Sequence, residues 1–158
     1  MRFRELEERD NAVIASIIRD NLKRYGLDIP GTAYYDEALD HLTEVYGRED
    51  AKYYVVVDEK DRVLGGIGFS RFYDSEDTAE LQKLYLCSEA KGSGSGYKMI
   101  SFIEDKMRQA GFRRSYLETH DVLREAVHIY IKSGYTEIEQ PEVIGHGSMN
   151  MFFIKELY

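Results

Sequence analysis

A chain of 158 residues is the length of one domain, and 43% hydrophobic against 32% charged residues excludes an intrinsically disordered chain. Its 21 Lys and Arg against 29 Asp and Glu leave a net charge of −8, which argues against the clustered positive surface that nucleic-acid binding needs. No apolar run approaches membrane-spanning length, and the single cysteine, Cys87, excludes an intrachain disulfide. Residues 1–158 therefore read as one domain with neither nucleic acid nor membrane as partner, suited to a reducing cytoplasm. The N-terminal MRFRELEERD is charged throughout and lacks the apolar core of a signal peptide.

In chain order, Arg2 to Leu6 reads as a short strand. Asp10 is placed to cap a helix in which Val13, Ile14, Ile17, Ile18, Leu22 and Tyr25 recur at helical spacing, broken by Asn21 and ended at Gly26. Pro30-Gly31-Thr32 is a loop, and Asp36 is placed to cap a shorter helix carrying Leu39, Leu42, Val45 and Tyr46. Tyr53–Asp58 and Arg62–Tyr73 flank a charged turn and read as a hairpin. Gly65, Gly66 and Gly68 in its second strand predict bending or close backbone approach.

A strand at Ala79–Cys87 leads through a glycine-rich loop into a helix with Ile100, Ile103 and Met107, which ends at Gly111. Arg114–Glu118 is the next strand. Asp121 is placed to cap a helix with Leu123, Val127, Tyr130 and Ile131, ending at Gly134. Tyr135–Ile138 and Met149–Ile154 are the last strands. The order is β-α-α-β-β-β-α-β-α-β-β: an α/β domain with a mixed sheet, locally parallel across the glycine loop and antiparallel in the hairpins.

The segment ELQKLYLCSEAKGSGSG, Glu80 to Gly96, carries the chemistry. Glycines admit close ligand approach, and a helix start supplies unpartnered N–H groups and partial positive charge. Strand, loop and helix start together make a phosphate-binding device. A Walker loop would end in Lys and then Ser or Thr, whereas Gly96 is followed by Tyr97, Lys98 and Met99. A dinucleotide fingerprint would be G-x-G-x-x-G at the first βα turn, whereas Gly92, Gly94 and Gly96 alternate and follow a hairpin.

Lys91-Gly92-Ser93-Gly94-Ser95-Gly96 after LQKLYL, followed by Ala126-Val127-His128-Ile129-Tyr130 and Gly134-Tyr135, resembles the paired motifs of the GNAT superfamily of acyl-CoA-dependent N-acetyltransferases. The resemblance follows the element order from end to end. It implies a mostly antiparallel sheet flanked by helices and splayed between the Ala79–Cys87 and Arg114–Glu118 strands. It implies that the N–H groups of Lys91, Gly92, Ser93, Gly94, Ser95 and Gly96 bind the pyrophosphate of acetyl-CoA. The backbone of Leu84, Tyr85 and Leu86 would pair with the pantetheine arm, and Tyr130 would protonate the departing thiolate. Two positions depart from the family pattern. Lys91 stands where Arg or Gln is usual, and Leu123 stands where an Asn commonly contacts the cofactor.

Transfer of an acetyl group to a primary amine by direct attack needs the neutral amine. Glu80, near the start of the central strand, matches the family's base; Glu118, His120 beside Asp121, and an ordered water are the alternatives. The Gly145-His146-Gly147 turn lies where the family shapes its acceptor site, and Tyr34-Tyr35 are candidates to line it. His41, His120, His128 and His146 show no metal-ligand spacing, so no metal is expected. A small-molecule or peptide amine is the expected acceptor, and a homodimer the assembly the family suggests. A domain that binds acyl-CoA without catalysis is the competing reading, and it would have no need of Tyr130.

Overall fold

The computed structural model describes residues 1–158 and places seven strands in one sheet. The strands are β1 (Arg2–Glu5), β2 (Ala51–Val57), β3 (Val63–Arg71), β4 (Thr78–Leu86), β5 (Arg114–Thr119), β6 (Thr136–Ile138) and β7 (Met151–Glu156). The helices are α1 (Asn11–Arg24), α2 (Leu42–Val45), α3 (Ser95–Gln109) and α4 (Arg124–Lys132). The order across the sheet is β1-β2-β3-β4-β5-β7-β6, antiparallel throughout except where β4 meets β5. No helix is long and apolar enough to cross a membrane.

The sheet is covered on both faces. The near-continuous apolar run of β2 follows from this, because a strand buried on both sides has no need of polar alternation. Tyr54 and Val56 pack with Met99, Ile100, Ile103 and Met107 of α3 and with Tyr130 of α4. Tyr53, Val55 and Val57 face the other way, onto Ile14, Ile18 and Leu22 of α1. These α1 residues recur at i, i+4 and i+8, the spacing that puts side chains on one helix face.

None of the three expected aspartate caps bonds a helix N–H, and for Asp10 and Asp36 the reason is that the carboxylate is engaged elsewhere. Asp10 accepts from Arg4 at 2.7 and 3.0 Å and from the Glu7 N–H at 2.8 Å, closing the turn before α1. Asp36 pairs with Lys83 and His146, and the segment after it makes a 3₁₀ turn and only a four-residue α2. Asp121 lies against His120, and α4 starts three residues later, after Leu123.

Two irregularities of β4 make the site. First, β4 and β5 pair over only three positions, Thr78↔Arg114, Ala79↔Ser115 and Glu80↔Tyr116. Beyond Glu80 the strands part, β5 continuing with β7 and β4 with β3. This is the expected splay. Second, Gly66 pairs with Tyr85 and Gly68 with Gln82, so Ile67 faces two residues, Lys83 and Leu84. Lys83 is the extra residue of this bulge and takes φ +52°. The β3 glycines make room opposite it: a Cβ on Gly66 or Gly68 would lie 2.4 or 2.5 Å from the Tyr53 ring.

Candidate active site

A cavity of about 610 Å³ fills the gap between β4 and β5, a volume typical of small-ligand sites. Glu80 through Leu86 form one wall, with the glycine loop, α4, the α1 residue Asn21 and the Gly145–His146 turn completing it. The Cys87 N–H bonds to β3, so strand alternation turns the amides of Leu84 and Leu86 toward the gap. The Leu84 and Leu86 side chains pack on the α3 side and that of Tyr85 on the α1 side.

At one end of this edge, Gly92 and Gly94 hold φ +78° and +75°, with open space where a side chain would stand. Gly94 is the residue before α3, so the first-turn N–H groups of that helix face the same loop. The Ser93 hydroxyl accompanies them, 2.6 Å from that of Ser95. Gly96 does different work. It is buried, and a Cβ there would meet Ile129 of α4 at 2.9 Å, so its lack of a side chain lets α3 and α4 meet.

Lys91 reaches away from the loop. Its ammonium donates to the Asn21 Oδ1 at 2.6 Å and lies over the Tyr25 ring. Burial, aided by the charge of Arg24, holds its pKa below the usual lysine value. Asn21 in turn donates to the carbonyls of Leu86 at 2.9 Å and Ile17 at 2.8 Å. In the sequence Asn21 reads as a defect in an apolar stripe; in the fold it fastens α1 to the end of β4 and to the loop.

Tyr130 lies across the gap on α4, 6% exposed, and its hydroxyl makes no hydrogen bond to another residue. No buried side-chain nitrogen or oxygen is left unpartnered, so this hydroxyl opens into the cavity. Burial raises its pKa and keeps the phenol protonated.

Glu80 sits where the strands part. Its Oε1 accepts from Gln82 Nε2 at 2.7 Å, and Gln82 Oε1 accepts from the Tyr46 hydroxyl at 2.6 Å. Its second oxygen is free. Burial first, and the charge of Glu118 second, push its pKa up to about 7, against the Gln82 bond and the charges of His146 and Lys83. Glu118 also lines the cavity, but its oxygens are committed to the N–H groups of Gly145 and His146 at 3.0–3.1 Å and to the Tyr116 hydroxyl at 3.0 Å. His120 is outside the cavity lining, its Nδ1 accepting from the Val122 N–H. Tyr34 and Tyr35 are outside it as well, and Ala33 lines it in their place. Leu123, at the position where the family commonly has Asn, lines the cavity with an apolar side chain.

The chain belongs to the GNAT family of acetyltransferases: residues 15–135 match the Acetyltransferase (GNAT) family. Acyl transfer to an amine is the chemistry of that family. Over 158 aligned residues the chain is 35% identical to an uncharacterized N-acetyltransferase, YjgM, of Escherichia coli (strain K12), covering 98% of this chain and 94% of that one. Its fold matches a GNAT-family acetyltransferase of Staphylococcus aureus Mu50 with a TM-score of 0.88, at 16% identity and 99% coverage of both chains. It also matches spermidine N-acetyltransferase of Vibrio cholerae, solved in complex with CoA and spermine. There the TM-score is 0.73 at 20% identity, covering 99% of this chain and 95% of that one.

Proposed function

We propose that the protein moves an acetyl group from acetyl-CoA to a primary amine by direct attack, with Glu80 as base and Tyr130 as acid. The observation that carries this reading is their placement. The unpaired edge of β4 runs from the glycine loop to Glu80, and the unengaged Tyr130 hydroxyl faces the same cavity.

Coenzyme A fits the residues present. The N–H groups from Gly92 to Gly96 offer a cradle for its pyrophosphate, the expected Lys91 N–H being bonded instead to the Ser88 carbonyl, and the Leu84–Leu86 edge offers amide partners to its pantetheine arm, as an added strand does. Acetyl-CoA supplies an activated acyl group as a thioester. An edge amide polarises the thioester carbonyl. The free oxygen of Glu80 takes a proton from the ammonium of the acceptor, directly or through water, so that the nitrogen lone pair attacks. The nitrogen–acyl bond forms and the carbon–sulfur bond breaks. Tyr130 gives its phenolic proton to the departing thiolate, and the second proton of the acylated nitrogen passes through water to the Tyr130 phenolate, while Glu80 returns its proton to solvent.

The test is thiol release from acetyl-CoA with a panel of primary amines, together with thermal melting. Acetyl-CoA is expected to raise the melting temperature, ATP to leave it unchanged, and at least one amine to release thiol. Stabilisation by acetyl-CoA without turnover of any amine would instead mark a non-catalytic acyl-CoA-binding domain.

A further inference from the structure

At the acceptor end of the cavity, Lys83 is a partly buried cation with capacity to spare. Its side chain is 11% exposed, and its only charged partner is Asp36, with Oδ2 at 2.9 Å from Nζ. An ammonium has three donors, so two are left without a protein partner in a residue that lines the cavity. Much of the local structure serves to direct this side chain: the bulge at φ +52°, Tyr53 bonded to its carbonyl, and two glycines giving Tyr53 room. Strained backbone of this kind persists where its surroundings over-determine it.

His146 joins Lys83 from the other side. Its Nε2 lies 2.9 and 3.1 Å from the two oxygens of Asp36. Asp36 is pushed up by burial, but His146 and Lys83 together outweigh that and hold its pKa below the usual range, so it stays ionised between them. One carboxylate thus anchors two basic side chains. Of the two glutamates nearby, Glu118 is satisfied by backbone N–H groups and a phenol. Glu80 is the one carboxylate with an oxygen free.

The acceptor end therefore has two arms, a proton-accepting carboxylate at Glu80 and an ammonium with spare donors at Lys83, held by Asp36 and His146. We infer that the acceptor is a small amino acid-like zwitterion, its amine received by Glu80 and its carboxylate by the spare donors of Lys83, which Asp36 and His146 hold in place. A diamine or polyamine would have to set its second cation against Lys83. One ammonium beside an ion-paired aspartate suits a monoanion. This inference rests on the acetyl-transfer reading above.

The experiment uses the full chain and matched sets: an amino acid, its amide and its decarboxylated amine, for small, apolar and aromatic side chains. The amide has the less basic amine and the decarboxylated compound the more basic one, so a preference for the acid over both cannot come from amine basicity. The expected result is kcat/KM at least tenfold higher for the acid, carried by KM. Lys83→Met should remove that discrimination, and Lys83→Arg should retain part of it. His146→Gln is the second variant should Lys83→Met fail to fold. A purely structural Lys83–Asp36 pair would lower the melting temperature and weaken all three acceptors alike. In parallel, calorimetry on CoA-loaded protein compares each N-acetyl amino acid with its amide. Tighter binding of the acid, lost in Lys83→Met, supports the carboxylate site. Equal or better use of the amide or the simple amine overturns it. If neither these compounds nor the wider amine panel release thiol, the acetyl-transfer reading fails, and the calorimetry alone decides the carboxylate site; thiol release from the panel with none from the amino acids overturns the carboxylate site.

Discussion

The Tyr53 hydroxyl donates to the main-chain carbonyl of Lys83 at 2.7 Å, from a ring that stands where Gly66 and Gly68 leave room. A side chain of β2 thus holds the bulge of β4 across the whole width of β3. Tyr53→Phe keeps the ring and orphans the carbonyl, which should cost about 1–3 kcal/mol. Urea unfolding should show a lower midpoint with an unchanged slope. The same variant should also lose activity beyond its loss of stability, because it frees the backbone that aims Lys83. A variant as stable and active as the parent would show that the bulge needs no such support.

Gly94→Glu should abolish binding of acetyl-CoA while the protein stays folded. Gly94 is exposed with φ +75°, so a side chain there is strained by about 1–2 kcal/mol and brings a negative charge to the helix start. Equilibrium titration with acetyl-CoA, alongside circular dichroism, makes the check. Gly96→Glu is a poorer probe, because its side chain would enter the contact with Ile129 and disturb packing as well as binding.

Tyr130→Phe should lower turnover by roughly ten- to a thousandfold, the range of general acids, with acetyl-CoA affinity nearly unchanged. The hydroxyl has no protein partner to orphan, so the melting temperature should stay within a few degrees. Undiminished turnover would return Tyr130 to the core.

Glu80 titrates near pH 7, so kcat/KM should rise with pH through about 7 as the base ionises. Gln82→Met removes a hydrogen bond that favours the ionised form, while Glu118, His146 and Lys83 still face Glu80; the limb should move to higher pH. Glu80→Gln should abolish the limb. Stability should follow the opposite sign. The unfolded chain releases this proton in the ordinary carboxylate range and the folded protein holds it to about 7, so rising pH costs stability between those values. Glu80→Gln should therefore be relatively more stable at pH 8 than at pH 4. A parallel stability profile for both proteins would show that Glu80 is not perturbed.

The elements that were legible in the sequence are those whose signal is local. The glycine loop, the apolar run of β2 and the stripe of α1 each carry their pattern within a few residues, and the paired motifs gave the splay. The rest is tertiary. Nothing around Lys83 asks for a positive φ; the cause lies in Tyr53, 30 residues away. Asn21 shows its purpose only when Leu86, 65 residues on, arrives beside it. His146 meets Asp36 across 110 residues, which is why Asp36 looks like a helix cap in the sequence and is not one. An aspartate near a helix start is also a free acceptor for other donors, close in sequence for Asp10 and far for Asp36.

The parting of β4 from β5 gives this sheet an edge in its own interior. Edges elsewhere in proteins invite stray strands, and are blunted by charge, proline or cover. Here the edge lies deep between helices, and Asn21 closes its far end by occupying the Leu86 carbonyl. What is left open is a short template, a few amides long, that an extended amide-bearing molecule can complete. The amides of Leu84 and Leu86 should accordingly exchange their hydrogens faster than those of neighbouring β3, and slow when such a molecule binds.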